Sequence, residues 1–140
     1  MIKKTIAEVL ALGAMTRERE LLRFREFGIF RFEVKNSKIE SVSVDFVDGQ
    51  LVACLSFVYE GGGSVWTMLL ANPTDVKRLE KVFSFAGADK MNDLKGKVVR
   101  LAICNCFICG IGDLVEDKFV QFTGEDLEAI SLQRLEELQK

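Results

Sequence analysis

The feature that most constrains this fold is a change in the spacing of apolar residues at Gly28. After Gly28, apolar and polar residues alternate with a period of two, the spacing of a strand with one face in a core and one in water. Asp48-Gly49 separates two such segments, and this dipeptide favours the positive φ angles of a two-residue hairpin turn. The sequence therefore predicts an antiparallel meander rather than alternating strands and helices.

Further strands are predicted in both halves of the chain. Asn36-Ser37 is predicted to be a turn within the first half. The run LVACLSFVY is apolar on both faces, which is typical of a strand inside a sheet. The second half contributes the segments KVVRLAI, FICGIG and DKFVQF. We predict an α+β fold with an antiparallel sheet of about six or seven strands.

Residues 1–28 are predicted to be helical. Their apolar residues follow a helical spacing, and Thr16 can cap the second of two helices, which Gly28 ends. That second helix is rich in arginine and glutamate, which indicates a solvated face laced with ion pairs, with an anion-binding face as the alternative. Its apolar stripe recurs every three residues and consists of Leu21, Phe24 and Phe27.

A middle helix and a C-terminal helix complete the prediction. Thr74 is predicted to cap the middle helix and Gly87 to end it. A last helix is predicted over 124–140. The three helical regions are expected to pack on the sheet, in a single domain over 1–140 whose sheet and middle helix occupy 29–122.

The C-terminal helix carries an apolar stripe that runs nearly to the last residue. A helix at a chain terminus frays unless something packs on it, so the stripe predicts a homodimer through this helix or through an exposed sheet edge. The alternative is a monomer whose last helix docks on its own sheet. The stripe consists of Leu127, Ile130, Leu135 and Leu138, with Leu132 beside it.

Three of the four cysteines fall within the run CNCFICG. A zinc site would need a fourth ligand, and because the chain has no histidine the candidate is a cysteine 50 positions earlier. A redox pair is expected at a strand-to-helix junction, whereas this run lies between two strands. The sequence favours a turn centred on Asn105, which tolerates positive φ. The alternatives are a redox pair and a metal site built from Cys54, Cys104, Cys106 and Cys109.

The run Gly61-Gly62-Gly63 offers backbone amides that can cradle an anion. A phosphate loop leads into a helix N-terminus, but a strand follows here, so a hairpin loop or bulge is favoured. Trp66 lies on that strand and is the best single candidate for a binding surface, with a core position as the alternative. A small-ligand site would combine these glycines and Trp66 with the basic residues Lys97 and Arg100.

The absence of histidine excludes Ser-His-Asp and Cys-His catalytic arrangements. An enzyme that works through carboxylates and a lysine is a minor alternative, because the segment DLVEDK is typical of a solvated turn. Its residues would be Asp113, Glu116, Asp117 and Lys118. We predict no catalytic residue and no cofactor.

Charge and composition bear on partners and compartment. The net charge of −2 and the pI near 5.3 leave no basic footprint for nucleic acid. Glu8 interrupts the first apolar run, which is too short to cross a bilayer, so we expect an amphipathic helix there and no membrane partner. We expect a cytoplasmic protein with reduced cysteines.

Three motifs resemble those of a family of small phage and prophage proteins of unassigned function. The resemblance covers residues 39–122, and the chain departs from it at 104–106, where Cys-Asn-Cys replaces a polar turn. The family carries no assigned catalytic residues, so the resemblance implies a context: an accessory protein in a bacterial cytoplasm. The motifs are DGQLVACLSFVYEGGGSVW, LKGKVVRL and FICGIGDLVEDKFV.

Two functional hypotheses follow from these features. The first is a non-enzymatic accessory protein of phage or prophage origin that binds another protein, with interference with a host or defence complex as one such action. The second is a small-ligand or nucleotide-binding module that uses the glycine run and Trp66.

Overall fold

The structure is a computed structural model and describes residues 30–140. These residues form one sheet of six antiparallel strands together with three helices, which confirms the predicted α+β class and strand number. The helical segment predicted at 1–28 lies outside the described residues. The elements are β1 (Phe32–Val47), β2 (Gln50–Tyr59), β3 (Gly62–Leu69), α1 (Pro73–Ala86), α2 (Met91–Leu94), β4 (Val98–Cys104), β5 (Phe107–Gly112), β6 (Phe119–Gln121) and α3 (Leu132–Gln139).

The strand order is β3-β2-β1-β4-β5-β6, and β1 joins the two halves of the sheet. Residues 32–38 of β1 pair with β4, and residues 38–47 pair with β2, so Lys38 belongs to both ladders. The register with β2 then shifts at Glu40, an extra residue on β1. A bulge of this kind increases the local twist, and the curled sheet brings β3 into contact with β5.

The predicted turn at Asn36-Ser37 is wrong. Both residues continue β1, opposite Arg100 and Val99 of β4. Ser37 is fully buried, and its hydroxyl donates to the carbonyl of Lys35 at 3.2 Å. Asparagine and serine favour turns because their side chains bond nearby backbone groups, but here pairing with a strand distant in the chain prevails.

Each face of the sheet buries its own apolar core, and alternate residues of β4 enter different cores. α1 and α2 cover one face, and α3 covers the other. The larger core consists of Ile39, Ala53, Leu55, Phe57, Met68, Leu79, Val82, Leu94, Val99, Leu101, Ile103, Ile108 and Ile111. The smaller core consists of Ala102, Cys104, Cys109, Phe119 and Leu135.

The middle helix α1 begins two residues earlier than predicted. Asn72, not Thr74, is its cap: the Asn72 Oδ1 accepts hydrogen bonds from the backbone N–H groups of Thr74 at 2.9 Å and Asp75 at 3.4 Å. Pro73 then occupies the first helical position, where its missing N–H costs nothing. Gly87 ends the helix in the left-handed conformation, as predicted.

The last helix is shorter than the predicted span 124–140. α3 begins directly after Ser131, whose hydroxyl accepts from the N–H of Arg134 at 3.2 Å. The residues before it are extended, because Ile130 and Phe119 exchange two backbone hydrogen bonds of 2.8 Å. This pairing with β6 takes the place of the predicted first turns of helix.

The predicted C-terminal stripe is divided in the structure. Leu135 is fully buried against the sheet, whereas Leu138 is 43% exposed. The homodimer through this helix therefore stays a prediction.

No helix within residues 30–140 has the length and apolar character needed to cross a membrane.

Candidate functional site

The glycine run forms a tight hairpin between β2 and β3. Gly61 has a φ of 91°, which favours glycine, and β3 begins at the next residue, so the predicted hairpin is confirmed. The Tyr59 ring lies beside Gly62, and its hydroxyl lies 2.9 Å from the Ser64 Oγ. A Cβ on Gly63 would lie 2.8 Å from the carbonyl oxygen of Phe57, so close strand packing requires glycine there.

A second tight turn joins β4 to β5. Asn105 and Cys106 have φ values of 51° and 76°, which confirms the predicted turn. Asn105 is buried, and it exchanges two hydrogen bonds with Arg31: the Arg31 N–H donates to the Asn105 Oδ1 at 2.8 Å, and the Asn105 N–H donates to the Arg31 carbonyl at 2.9 Å. The start of β1 is therefore fastened to this turn.

A cleft of about 410 Å³, here called the turn cleft, lies between these two turns and the start of β1. Its floor and walls combine apolar, hydroxyl, thiol and charged groups. The lining residues are Arg31, Glu33, Lys35, Tyr59, Glu60, Gly61, Gly62, Gly63, Ile103, Asn105 and Cys106.

Four charged side chains line the turn cleft, two of each sign. Arg31, Glu33 and Lys35 follow one another at alternate positions of the chain, and Glu60 comes from the β2–β3 turn. Within the part of the chain that the structure describes, the three ion pairs lie elsewhere. These four groups are therefore available to a polar ligand or to a charged segment.

A smaller cleft of about 240 Å³, here called the Trp66 cleft, lies where β3 approaches β5. The Trp66 ring packs on Phe122 with ring centroids 4.7 Å apart, and it also contacts the larger core. Trp66 is thus both a core residue and part of a surface. The lining residues are Gly63, Ser64, Val65, Trp66, Cys106, Phe107, Ile108 and Phe122, so the two clefts share Gly63 and Cys106.

The structure does not bring Lys97 and Arg100 to either cleft. Lys97 lies directly before β4, and the β4–β5 turn lies directly after it. The seven residues of β4 therefore separate Lys97 from that turn by about 23 Å. The guanidinium of Arg100 lies 5.0 Å from the centre of the Phe119 ring. It donates to the carbonyls of Asp113 and Glu116, each at 2.6 Å, and so holds the loop between β5 and β6.

The residues of the minor enzymatic alternative build that same loop. The Asp113 Oδ1 accepts from the N–H groups of Val115 and Glu116, each at 2.8 Å, and these bonds hold the pKa of the Asp113 carboxyl below its ordinary value. Lys118 pairs with Glu116 at 2.9 Å, and this hydrogen bond raises the pKa of the Lys118 ammonium. The Asp117 Oδ1 accepts from the N–H that opens α3. The four side chains thus shape the loop and the start of a helix.

The four cysteines do not form one cluster. Cys54 pairs with Ser43 of β1, whereas Cys104 pairs with Phe32 of the same strand. These two partners are eleven residues apart, which is about 36 Å along a strand. The Cys54 sulfur accepts a hydrogen bond from the Thr67 hydroxyl at 3.7 Å. Cys106 is exposed at the turn. In residues 30–140 no three metal-ligating side chains of histidine, cysteine, aspartate or glutamate form a group.

Cys104 and Cys109 lie together in the smaller core. The Cys109 thiol donates to the carbonyl of Ala102 at 3.4 Å. Burial raises the pKa of Cys109 to about 12, and burial also raises the pKa of Cys104. Both effects oppose formation of the thiolate that metal binding or redox exchange needs at neutral pH.

A further surface lies at the tip of the β1–β2 hairpin, which turns at Asp48 and Gly49 as predicted. Phe46 and Leu51 are cross-strand partners, and Phe46 is 73% exposed. Val44 lies two residues before Phe46, on the same side of β1, and is 44% exposed. Val44, Phe46 and Leu51 are here called the hairpin tip. The alternation in the sequence predicts that Val44 and Phe46 lie on a buried face, whereas both are exposed.

No protein family, no curated protein and no solved structure matches this chain.

Proposed function

We propose that this chain is a non-enzymatic protein-binding protein whose contact surface is the hairpin tip, Val44, Phe46 and Leu51. The observation that carries the proposal is the exposure of Phe46, at 73%, beside an apolar cross-strand partner. Burial of one such aromatic side chain at an interface contributes about 1.5–3 kcal/mol. Aromatic residues are also frequent among the few that dominate binding energies.

The hairpin presents this apolar group on a rigid support. β1 and β2 stay in register up to the pair Val47 and Gln50, which flank the two-residue turn. A partner therefore binds a surface that is already ordered, and association costs less conformational entropy.

Charge around the hairpin defines the chemistry of the partner. The stretch 39–59, which runs along β1 and β2 through the tip, contains Glu40, Asp45 and Asp48 and no lysine or arginine. An apolar pocket rimmed by basic side chains complements such a surface, and the acidic charge opposes contact with nucleic acid.

The phage or prophage context that the motif resemblance implies is part of this proposal. An accessory protein that interferes with a host or defence complex needs a surface that binds one component of that complex. The internal hydrogen bonds of Asp113, Glu116 and Asp117 support a role by binding rather than by catalysis.

The test is affinity capture from a bacterial lysate with three forms of the full chain: wild type, Phe46→Ser and Val115→Ser. Val115 is a matched control because it is 87% exposed and lies in the loop between β5 and β6. A protein that wild type and Val115→Ser retain but Phe46→Ser loses supports the proposal. Equal retention by all three forms shows that the hairpin tip is not the contact surface.

A second candidate function is binding of a small charged ligand in the turn cleft. The observation that favours it is the group of Arg31, Glu33, Lys35 and Glu60, which suits a ligand that carries charges of both signs. At about 100 times its dissociation constant such a ligand would stabilise the fold by about 2.7 kcal/mol. Thermal-shift measurements with nucleotides and with amino acids test this, and Lys35→Gln should reduce any shift.

A further inference from the structure

We propose that the partner bound at the hairpin tip contributes an extended segment, which pairs as an antiparallel strand with β1 over residues 40–47 and alternates apolar with basic side chains. This inference rests on the proposed function, and it names the form and the chemistry of the partner. It is argued from the backbone of β1, whereas the proposed function is argued from exposed side chains.

One edge of β1 is open over residues 40–47. Within residues 30–140, β2 is the one strand that pairs with this part of β1, because β4 pairs with residues 32–38. Contact with the β4 side ends at Ile39, whose N–H donates to the Lys97 carbonyl at 2.8 Å and whose carbonyl accepts from the Gly96 N–H at 2.7 Å. The edge beyond Ile39 can accommodate a strand of ordinary length.

The backbone groups of alternate residues of β1 point to this open edge. Val47 and Gln50 flank the two-residue turn and form a hydrogen-bonded pair, and such pairs alternate along a hairpin with pairs that are not hydrogen-bonded. The intervening positions of β1 direct their N–H and carbonyl groups away from β2. These positions are Val42, Val44 and Phe46.

A hydrogen bond on the far side of β2 supports this alternation. Leu51 is the cross-strand partner of Phe46, yet its carbonyl accepts from the N–H of Leu70, which directly follows β3, at 3.1 Å. The backbone of Leu51 therefore faces β3, as expected for a pair that is not hydrogen-bonded. A row of outward backbone groups is the template on which an added strand binds.

The sequence does not block this edge, and the other edges of the sheet differ from it. Residues 40–47 contain no lysine or proline, which proteins commonly place on exposed edges to prevent pairing. The edge strand β3 contacts β5 of the same sheet through its curl. The opposite edge strand, β6, has three residues and already pairs with Ile130.

The two faces of the edge determine the side chains of the added strand. Val42, Val44 and Phe46 lie on the face of the larger core, and Val42 packs against that core. Asp45 and Ser43 lie on the other face. Directly opposed residues of antiparallel strands share a face, so the added strand needs apolar residues beside the valines and a basic residue beside Asp45.

Charge selects another protein over a second copy of this chain. Glu40, Asp45 and Asp48 make the stretch 39–59 acidic, with no lysine or arginine. A second copy would double this charge without supplying a basic partner from the same stretch, and like charges across paired strands are destabilising. A segment with alternate basic residues neutralises the charge instead and supplies part of the basic rim that complements the tip.

The first experiment uses the full chain and a peptide of about eight residues that alternates valine with lysine and has blocked termini. In antiparallel pairing its valines exchange hydrogen bonds with Val42, Val44 and Phe46, and its lysine N–H groups point away. Two isomers carry N-methyl groups on the central valines or on the central lysines, so they match in composition and charge. Calorimetric titration measures the dissociation constants.

N-methylation of the valines should weaken binding at least about tenfold relative to N-methylation of the lysines, because it removes hydrogen bonds to β1. Equal affinity of the two isomers overturns the proposal, since attraction by charge and apolar contact alone does not distinguish them. Absence of binding by the unmethylated peptide at millimolar concentration also overturns it.

The second experiment reverses the charge of the edge. Asp45→Lys should weaken binding of the valine–lysine peptide at least about threefold and should strengthen binding of a valine–glutamate peptide. Glu128→Lys is the matched control, because it makes the same change in net charge at an exposed position after β6, which β4 and β5 separate from β1. Equal effects of the two variants contradict pairing at β1.

Sedimentation of the full chain without peptide tests the second copy as occupant. Val44→Pro removes an N–H from the open edge and leaves the ladder between β1 and β2 its donors. Wild type is expected to show no self-association through this edge. A wild-type dimer that Val44→Pro abolishes would mean that the edge binds its own copy, and it would overturn the proposal.

The failure of this inference and the failure of the proposed function are distinguishable. If Phe46→Ser loses a captured protein while the two N-methyl isomers bind equally, the hairpin tip is the contact surface and strand pairing is wrong. If Phe46→Ser retains every captured protein while the isomers differ, the edge binds extended segments and the hairpin tip is not the contact surface.

Discussion

Leu135 fills the space that a side chain at Gly110 would need. A Cβ on Gly110 would lie 2.6 Å from the Leu135 Cδ2 and 3.2 Å from the carbonyl oxygen of Val120. Leu135 is fully buried, and it is the residue through which α3 enters the smaller core. The position of α3 on the sheet therefore depends on the absence of a side chain at one point of β5.

Gly110→Ala should destabilise the fold by about 1–3 kcal/mol, because the added methyl overpacks this contact. Leu135→Ala should cost about 2–5 kcal/mol through the cavity that it leaves. The double variant should cost less than the sum, since removal of the leucine makes room for the methyl. Urea unfolding of the four proteins measures this coupling, and additive costs would show that the two residues do not compete for the same space.

The glycine run offers a matched pair of substitutions. Gly63→Ala should cost about 1–3 kcal/mol, because the Cβ would meet the Phe57 carbonyl oxygen at 2.8 Å and the backbone must shift. Gly62→Ala should change stability by less than about 1 kcal/mol, since its Cβ would meet the Tyr59 ring at an ordinary 3.5 Å. Thermal unfolding compares the two. Equal costs would mean that the glycines serve another purpose than strand packing.

The turn at Asn105 allows a separation of backbone strain from side-chain bonding. Asn105→Gly keeps the positive φ but loses the bond to the Arg31 N–H, at a cost of about 1 kcal/mol. Asn105→Ala loses the same bond and also holds alanine in the left-handed region, which adds about 1–2 kcal/mol. Urea midpoints should therefore rank wild type above glycine and glycine above alanine. If Asn105→Gly is less stable than Asn105→Ala, this ranking is contradicted.

The buried thiol of Cys109 predicts a loss of stability at alkaline pH. Its pKa is raised from 9.0 to about 12 in the folded protein, so the folded state holds the proton more tightly than the unfolded chain. The contribution is fully present below pH 9 and is lost as the pH rises from 9 toward 12. The urea midpoint of wild type should fall over this range more steeply than that of Cys109→Ala, which lacks the group. Parallel curves would contradict the assignment.

Local signals in the sequence predicted two tight turns and the C-terminal end of α1 correctly, because one residue type decides each of these outcomes. Asp48 with Gly49, Asn105 and Gly87 adopt the positive φ angles that their residue types favour. The α1 cap was misplaced by two positions because Asn72 and Thr74 are both good caps, and only the position of Pro73 decides between them.

Contacts between distant residues account for the wrong predictions. Asn36 lies in a strand because it pairs with β4. Ile130 lies outside the last helix because it pairs with Phe119 of β6. Arg100 was assigned to a binding site, yet its partners are carbonyl groups of the following loop, which carry no signal in side-chain type. The charged residues of the turn cleft were missed for the same reason, since Arg31 and Glu60 line one cleft although they are 29 residues apart in the sequence.

The shared strand β1 also sets an order of events in folding. Strands β1, β2 and β3 are joined by two-residue turns, so their ladders close over short loops and can form within microseconds. The ladder between β1 and β4 begins at Lys38 and Val98, 60 residues apart, and must close a much larger loop. We expect the meander to form first and the docking of β4 to limit the folding rate. Lys38, at the junction, would then mark the boundary between early and late contacts.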